Sequence, residues 1–225
     1  MGSKTLHPLV SVIDLSKADL SSHTDFKFGF YTILLSECKC EAYRYGHQYY
    51  DFSDGTLLCL TPGESISMKD SDNTRPSKGW ILAFHPDLIC GTVLGANIRD
   101  YTFFSYRPEE ALHVSLREKQ VILELLDKLQ RCIDCYSQKI ISKYIELLLD
   151  YCERFYERQF ITRNEANKKI IERFDRLLDD HFNTIQSQSS DLPTIEECVR
   201  VLRLSPAYFN DLLEYETGKS YKEYL

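Results

Sequence analysis

The 225-residue chain lacks any apolar run approaching the roughly eighteen residues that a membrane-crossing helix needs, so the sequence predicts no helical span. Its opening, Met1-Gly2-Ser3-Lys4, leads into no apolar stretch of secretory length, and no leader is expected. There is no Gly-rich phosphate loop, no serine or cysteine nucleophile elbow and no internal repeat, which removes the sequence signals of the common nucleotide-binding and hydrolase classes. Positive charge is also short: 27 Lys and Arg stand against 34 Asp and Glu, a net charge of -7. Phosphate neutralisation supplies much of the affinity of nucleic-acid binders. A broad basic surface is therefore excluded, and any DNA contact has to come from local geometry.

Cysteine is not scarce. Eight are present, at 38, 40, 59, 90, 132, 135, 152 and 198, several inside apolar runs such as Thr56-Leu57-Leu58-Cys59-Leu60. Without a secretion signal they read as small buried hydrophobes in a reducing, cytoplasmic compartment, with no disulfides. The Cys132-x-x-Cys135 spacing supplies half of a zinc site, but ordinary helix cysteines explain it as well, and the Cys38-x-Cys40 pair is a weaker signal. No metal and no cofactor is expected.

The hydrophobic period changes along the chain. Up to about residue 104, short aromatic and β-branched runs at 28–35, 41–45, 48–52, 56–60 and 79–85 are separated by turn signals at Tyr45-Gly46, Asp54-Gly55 and Pro62-Gly63. Many short strands at close spacing predict a small sandwich or barrel. Trp80, Leu82 and Phe84 should point to one face, and Ile81, Ala83 and His85 to the other. The polar segment 69–78 reads as a loop.

From Ser115 onward the period is helical. Ser115 and Glu118 form a capping box, and Ile122, Leu125, Leu126, Leu129 and Ile133 make one apolar stripe. The following helix, 138–159, carries two stripes: Ile141, Ile145, Leu148, Cys152 and Phe155, and beside it Ile140, Tyr144, Leu147 and Tyr151. Such a helix is buried on two sides, either within its own core or against a second subunit. A boundary is expected near 160–162. Capping boxes at Thr162/Glu165, Thr194/Glu197 and Ser220/Glu223, a Ser205-Pro206 helix start and Gly218 as a helix stop then define short helices. Two short helices joined by a tight turn, the second opened by Ser-Pro, fit a helix-turn-helix, with a plain three-helix bundle as the alternative.

The residues Leu192-Pro193-Thr194-Ile195-Glu196-Glu197, Leu202-Arg203-Leu204-Ser205-Pro206-Ala207-Tyr208-Phe209 and Glu216-Thr217-Gly218-Lys219-Ser220 resemble the first helix-turn-helix of AraC-type transcription regulators. The resemblance spans about 162–225. It implies that the helix after Ser205 enters a DNA major groove, with Ser205, Ala207, Tyr208, Asn210 and Asp211 facing DNA and Arg200, Arg203, Lys219 and Lys222 at phosphates. Val199 stands where the family usually has Ala, Arg203 where it has Gly, and Glu214 where a basic residue is common. From residue 163 to 225 nine cations meet twelve carboxylates, a net of 9 − 12 = −3. The family carries a second such unit, so the chain reads as a fragment that stops inside the joining helix.

The same family commonly places a cupin-like, small-molecule-sensing barrel first. The stretches Phe84-His85-Pro86-Asp87-Leu88, Tyr101-Thr102-Phe103-Phe104-Ser105-Tyr106 and Glu110-Ala111-Leu112-His113 resemble sensor domains of some of its members. Candidate pocket residues are Tyr31, Tyr43, Tyr45, Tyr49, Trp80 and Phe84, which are equally typical core residues. None of the six histidines forms the His-x-His of a metal-dependent cupin, so no catalytic residue is assigned. The resulting expectation is an α+β protein. A cupin-like β-barrel (1–104) precedes central dimerisation helices (105–161) and a helix-turn-helix subdomain (162–225). It binds double-stranded DNA as a homodimer, answers a small-molecule effector, and is neither an enzyme nor membrane-bound. The alternative is a cupin-like binding protein or enzyme whose helical tail is structural.

Overall fold

The computed structural model describes residues 7–17, 25–27, 29–37, 51–52, 54–67, 78–133, 137–185 and 192–225. Its first half holds an antiparallel five-stranded sheet of β1 (Val10–Asp14), β3 (Tyr31–Ser36), β4 (Gly55–Leu60), β6 (Gly79–Phe84) and β7 (Leu112–Val114), in the order β1-β6-β3-β4-β7. A separate pair joins β2 (Asp25–Lys27) to β5 (Ser65–Ser67). The central register sets Ile33 against Cys59 on one side and Leu82 on the other. Gly79, at φ 150°, enters β6 where a Cβ would stand 2.3 Å from the Leu35 carbonyl oxygen, so no larger residue fits that close approach.

The period-two reading of β6 holds. Leu82 and Phe84, with Ile33, Leu35, Leu57 and Cys59, face a large core shared with the helices, whereas Leu34, Leu58, Leu60 and Ile81 form a second cluster on the opposite face. Two short helices, α1 (Pro86–Ile89) and α2 (Val93–Asn97), and two 3₁₀ turns, Thr102–Ser105 and Pro108–Glu110, connect β6 to β7. The long helices α3 (Leu116–Ile133) and α4 (Gln138–Thr162) follow. Every residue of the predicted α3 stripe is buried, as is the first α4 stripe from Ile141 to Phe155. The Ser115/Glu118 box forms reciprocally, at 2.8 and 3.3 Å.

The expected closed barrel requires correction. Among the described residues the sheet is open, with β1 and β7 as its two edges. An open edge leaves backbone groups that must be satisfied or covered. At β7 the covering is done by side chains of α4. Gln159 accepts from the His113 amide at 2.8 Å and donates to the Ala111 carbonyl at 3.0 Å, and Arg158 donates to the His113 carbonyl at 2.7 Å. These three bonds stand in for a further strand. The helices at 116–162 share one core with the sheet, and β7, at Leu112–Val114, follows the 3₁₀ turns.

Phe160, in the last turn of α4, belongs to a second core. That core is filled from α5 (Asn164–Ile185), α6 (Ile195–Leu202), α7 (Pro206–Thr217) and α8 (Tyr221–Tyr224). Phe174 and Phe209 are fully buried and meet edge to face at 4.9 Å, each contributing about 1.5–3 kcal/mol by burial. The capping box expected at Thr162 does not form. Thr162 closes α4, donating to the Gln159 carbonyl at 3.1 Å, and Arg163 (φ −95°, ψ 12°) makes the break before α5. Among the described residues no helix is long and apolar enough to cross a membrane.

Candidate nucleic-acid interface

Helices α6 and α7 are two short helices joined by a tight turn. Thr194 and Glu197 cap α6 reciprocally, at 2.8 and 3.3 Å. The turn is made by Arg203, whose φ of 61° is the only positive value at a non-glycine among the described residues. Arg203 thus has the left-handed backbone that glycine adopts without cost. Ser205 opens α7, its Oγ accepting from the Tyr208 amide at 3.2 Å with Pro206 behind it, and Gly218 closes the helix at φ 71°. Val199 is buried at 3% exposure in the same core as Leu202, Phe209 and Leu213.

The expected DNA-facing residues divide into two groups. Arg200, Arg203, Lys219 and Lys222 are exposed. The α7 residues are engaged inside the protein. Asn210 accepts from the Tyr221 amide at 3.1 Å and so fixes the start of α8. Ser205 and Tyr208 are buried. The Asp211 carboxylate accepts from Thr102 Oγ1 and, at 2.6 Å, from the Tyr106 hydroxyl. Ala207 is half-buried, and Glu214 is exposed.

The partner of α7 is the strap between β6 and β7. Glu110, 3% exposed, accepts from the Ser205 amide and from Ser205 Oγ, both at 2.6 Å, while also holding the Arg107 amide of its own turn at 2.7 Å. Burial raises its carboxyl above the usual carboxylate range, and the bonds from Ser205 and Arg107 oppose that shift. Tyr106 packs edge to face on both Tyr156 of α4 (5.2 Å) and Tyr208 of α7 (5.1 Å), at the margin of both cores. Burial, then the Asp211 carboxylate, pushes its hydroxyl well above the ordinary tyrosine value, so it remains a donor. A second tie runs beneath. Arg163 donates to both oxygens of Asp51 at 3.0 and 2.6 Å, with side chains 8% and 0% exposed.

Three of the aromatic pocket candidates lie among the described residues. Phe84 is fully buried and stacks on Tyr31 at 5.3 Å, and Tyr31 meets Phe104 at 5.2 Å. Trp80 packs on the same helix-facing core. Tyr43, Tyr45 and Tyr49 lie outside the described residues, as do Cys38, Cys40 and Cys135. A groove of 630 Å³ instead runs along α4, lined by Ile140, Tyr144 and Leu147 with Lys139, Lys143 and Asp150. Among the described residues no cluster of three or more His, Cys, Asp or Glu is placed to hold a metal ion. Cys59 and Cys152 are buried in the large core, and burial pushes the Cys152 thiol up to about 12.

Compared with known proteins, the chain matches no family model, no curated protein and no solved structure. Sequence reading missed the strap residues Thr102, Tyr106 and Glu110 as contacts of α7, although it had singled out the stretches that contain them. A buried contact between segments some hundred residues apart leaves no local period or spacing to read.

Proposed function

We propose that the chain is a DNA-binding transcription regulator of the AraC type, acting in the cytoplasm and responding to a small-molecule effector through its sheet-bearing first half. The observation that carries this reading is the α6–Arg203–α7 geometry: two capped helices joined through a left-handed turn, the second opened by Ser205-Pro206. That is the arrangement by which a helix is presented to a major groove. The half-buried Ala207, Asn210 and Asp211 are the α7 residues assigned to face DNA, and the four exposed cations Arg200, Arg203, Lys219 and Lys222 are assigned to phosphate contact. With so few cations, affinity is modest and strongly salt-dependent.

Homodimerisation belongs to the same reading. The second α4 stripe keeps Ile140 and Leu147 at 48% and 42% exposure, with Tyr144 half-buried between them and Tyr151 half-buried one turn beyond Leu147. Lysines 139 and 143 lie toward one end of this stripe and Asp150 and Glu153 toward the other. An antiparallel pair of α4 helices therefore sets opposite charges against each other. A structural tail would also dock α7 on the first half, and DNA binding separates the two readings. The test is binding of the protein to the DNA upstream of its own coding sequence, titrated with salt. Sequence-selective binding that weakens with salt supports the proposal. No binding, or equal affinity for unrelated duplexes, contradicts it.

A further inference from the structure

The contact between the strap and α7 joins the face of the helix that the proposed function needs to a segment that cannot touch DNA. Ser205, Tyr208 and Asp211 recur every three residues along α7, and all three are held by Glu110, Tyr106 and Thr102. A major groove about 12 Å wide admits an α-helix of about 10–12 Å and little else. A 3₁₀ turn packed along the N-terminal half of α7 has no room beside it there. Asp211 also lies near a group of carboxylates outside the strap: after burial, Glu157 and Asp150 of α4, Asp211 and Asp100 together raise the acid of Glu153 on α4. A phosphate backbone brought to this flank meets repulsion from the sensor half as well as steric exclusion.

We propose that the 102–110 strap is an autoinhibitory clamp. Docked as seen here, it excludes α7 from the major groove, and DNA binding requires α7 to leave it. This inference rests on the reading of α7 as the DNA-contacting helix. The clamp is held by few bonds, and its weak point is polar. The Glu110 carboxylate caps the first turn of α7 from outside the helix, and the Tyr106 hydroxyl holds Asp211. An effector, or a shift of the 86–97 helices that precede the strap, releases the helix by displacing either bond. The apparent DNA affinity is the intrinsic affinity scaled by the fraction of molecules released.

The test uses two substitutions on the strap side, so that no residue proposed to meet DNA is altered. Tyr106→Phe removes one hydroxyl while keeping the ring packed between Tyr156 and Tyr208, and it leaves the charge unchanged. Glu110→Gln keeps the volume and replaces one of the two accepting oxygens with a donor. Hydrogen exchange at the Tyr208 and Phe209 amides reports release of α7, and anisotropy of a fluorescein-labelled duplex of mixed sequence at low salt reports DNA binding. Both variants are expected to exchange faster at these amides and to bind the duplex on the order of tenfold more tightly, the loss of a hydrogen bond to a charged group being of that size. Two results overturn the clamp: faster exchange with wild-type DNA affinity, or unchanged exchange in both variants. If neither the wild type nor the released variants bind duplex at all, the DNA-binding reading fails and takes the clamp with it. If the wild type already binds as tightly as the variants, only the clamp fails.

Discussion

Breaking the Arg163–Asp51 pair tests whether the helical half is fastened to the sheet half as described. Arg163 sits at the break between α4 and α5, and Asp51 belongs to the sheet half. Two hydrogen bonds of 3.0 and 2.6 Å join them, and the side chains are 8% and 0% exposed. Removing one member of such a pair costs about 3–5 kcal/mol, because it strands the other charge away from water. Arg163→Met leaves the Asp51 carboxylate in that position. Adding Asp51→Leu removes the stranded charge, and replacing a buried pair with packed apolar residues is often nearly neutral. The double variant is therefore expected to recover most of the loss, with a coupling energy of about 2 kcal/mol or more. Urea denaturation followed by far-ultraviolet circular dichroism measures all four corners of the cycle. A single Arg163→Met cost below about 1 kcal/mol, or a double variant as unstable as the sum of the singles, would refute the buried, coupled pair.

Leu147→Glu places a charge in the centre of the exposed α4 stripe, and light scattering at micromolar concentration should show the dimer converted to monomer. A wild-type monomer would remove the dimer from the account. Arg203→Gly should raise the urea midpoint, since a non-glycine residue at φ 61° costs about 1 kcal/mol, while weakening DNA binding through the lost cation.

Local chemistry was legible in the sequence wherever one segment carries its own answer. The caps at Ser115, Thr194, Ser205 and Ser220, the stop at Gly218 and the stripes of α3 and α4 follow from spacing alone. The alternation of β6 likewise assigned Leu82 and Ile81 to opposite cores. The edge strands were harder. β1 and β7 are short, and β7 is completed by side chains from α4 rather than by a strand, so no pattern within Leu112–Val114 announces it. Thr162 misled because a capping-box spacing also arises by chance at the end of a helix. Strand density suggested a closed barrel, but a helix can cover an edge as well as closure can remove it. At the candidate site, the sequence supplied the residues of α7 and the turn at Arg203. It could not supply their partners, because Glu110 and Ser205 lie 95 residues apart and meet only after two cores have formed.

The central claim is that α7 reads DNA. Selection from a random duplex pool at low salt, using the protein with Tyr106→Phe to free the helix, tests it most directly. The account predicts enrichment of a short motif, with Ala207→Asn moving the preference toward adenine at one position, because an asparagine side chain pairs with the adenine edge in the major groove. A pool that stays unenriched, or a motif unmoved by Ala207→Asn, would contradict it.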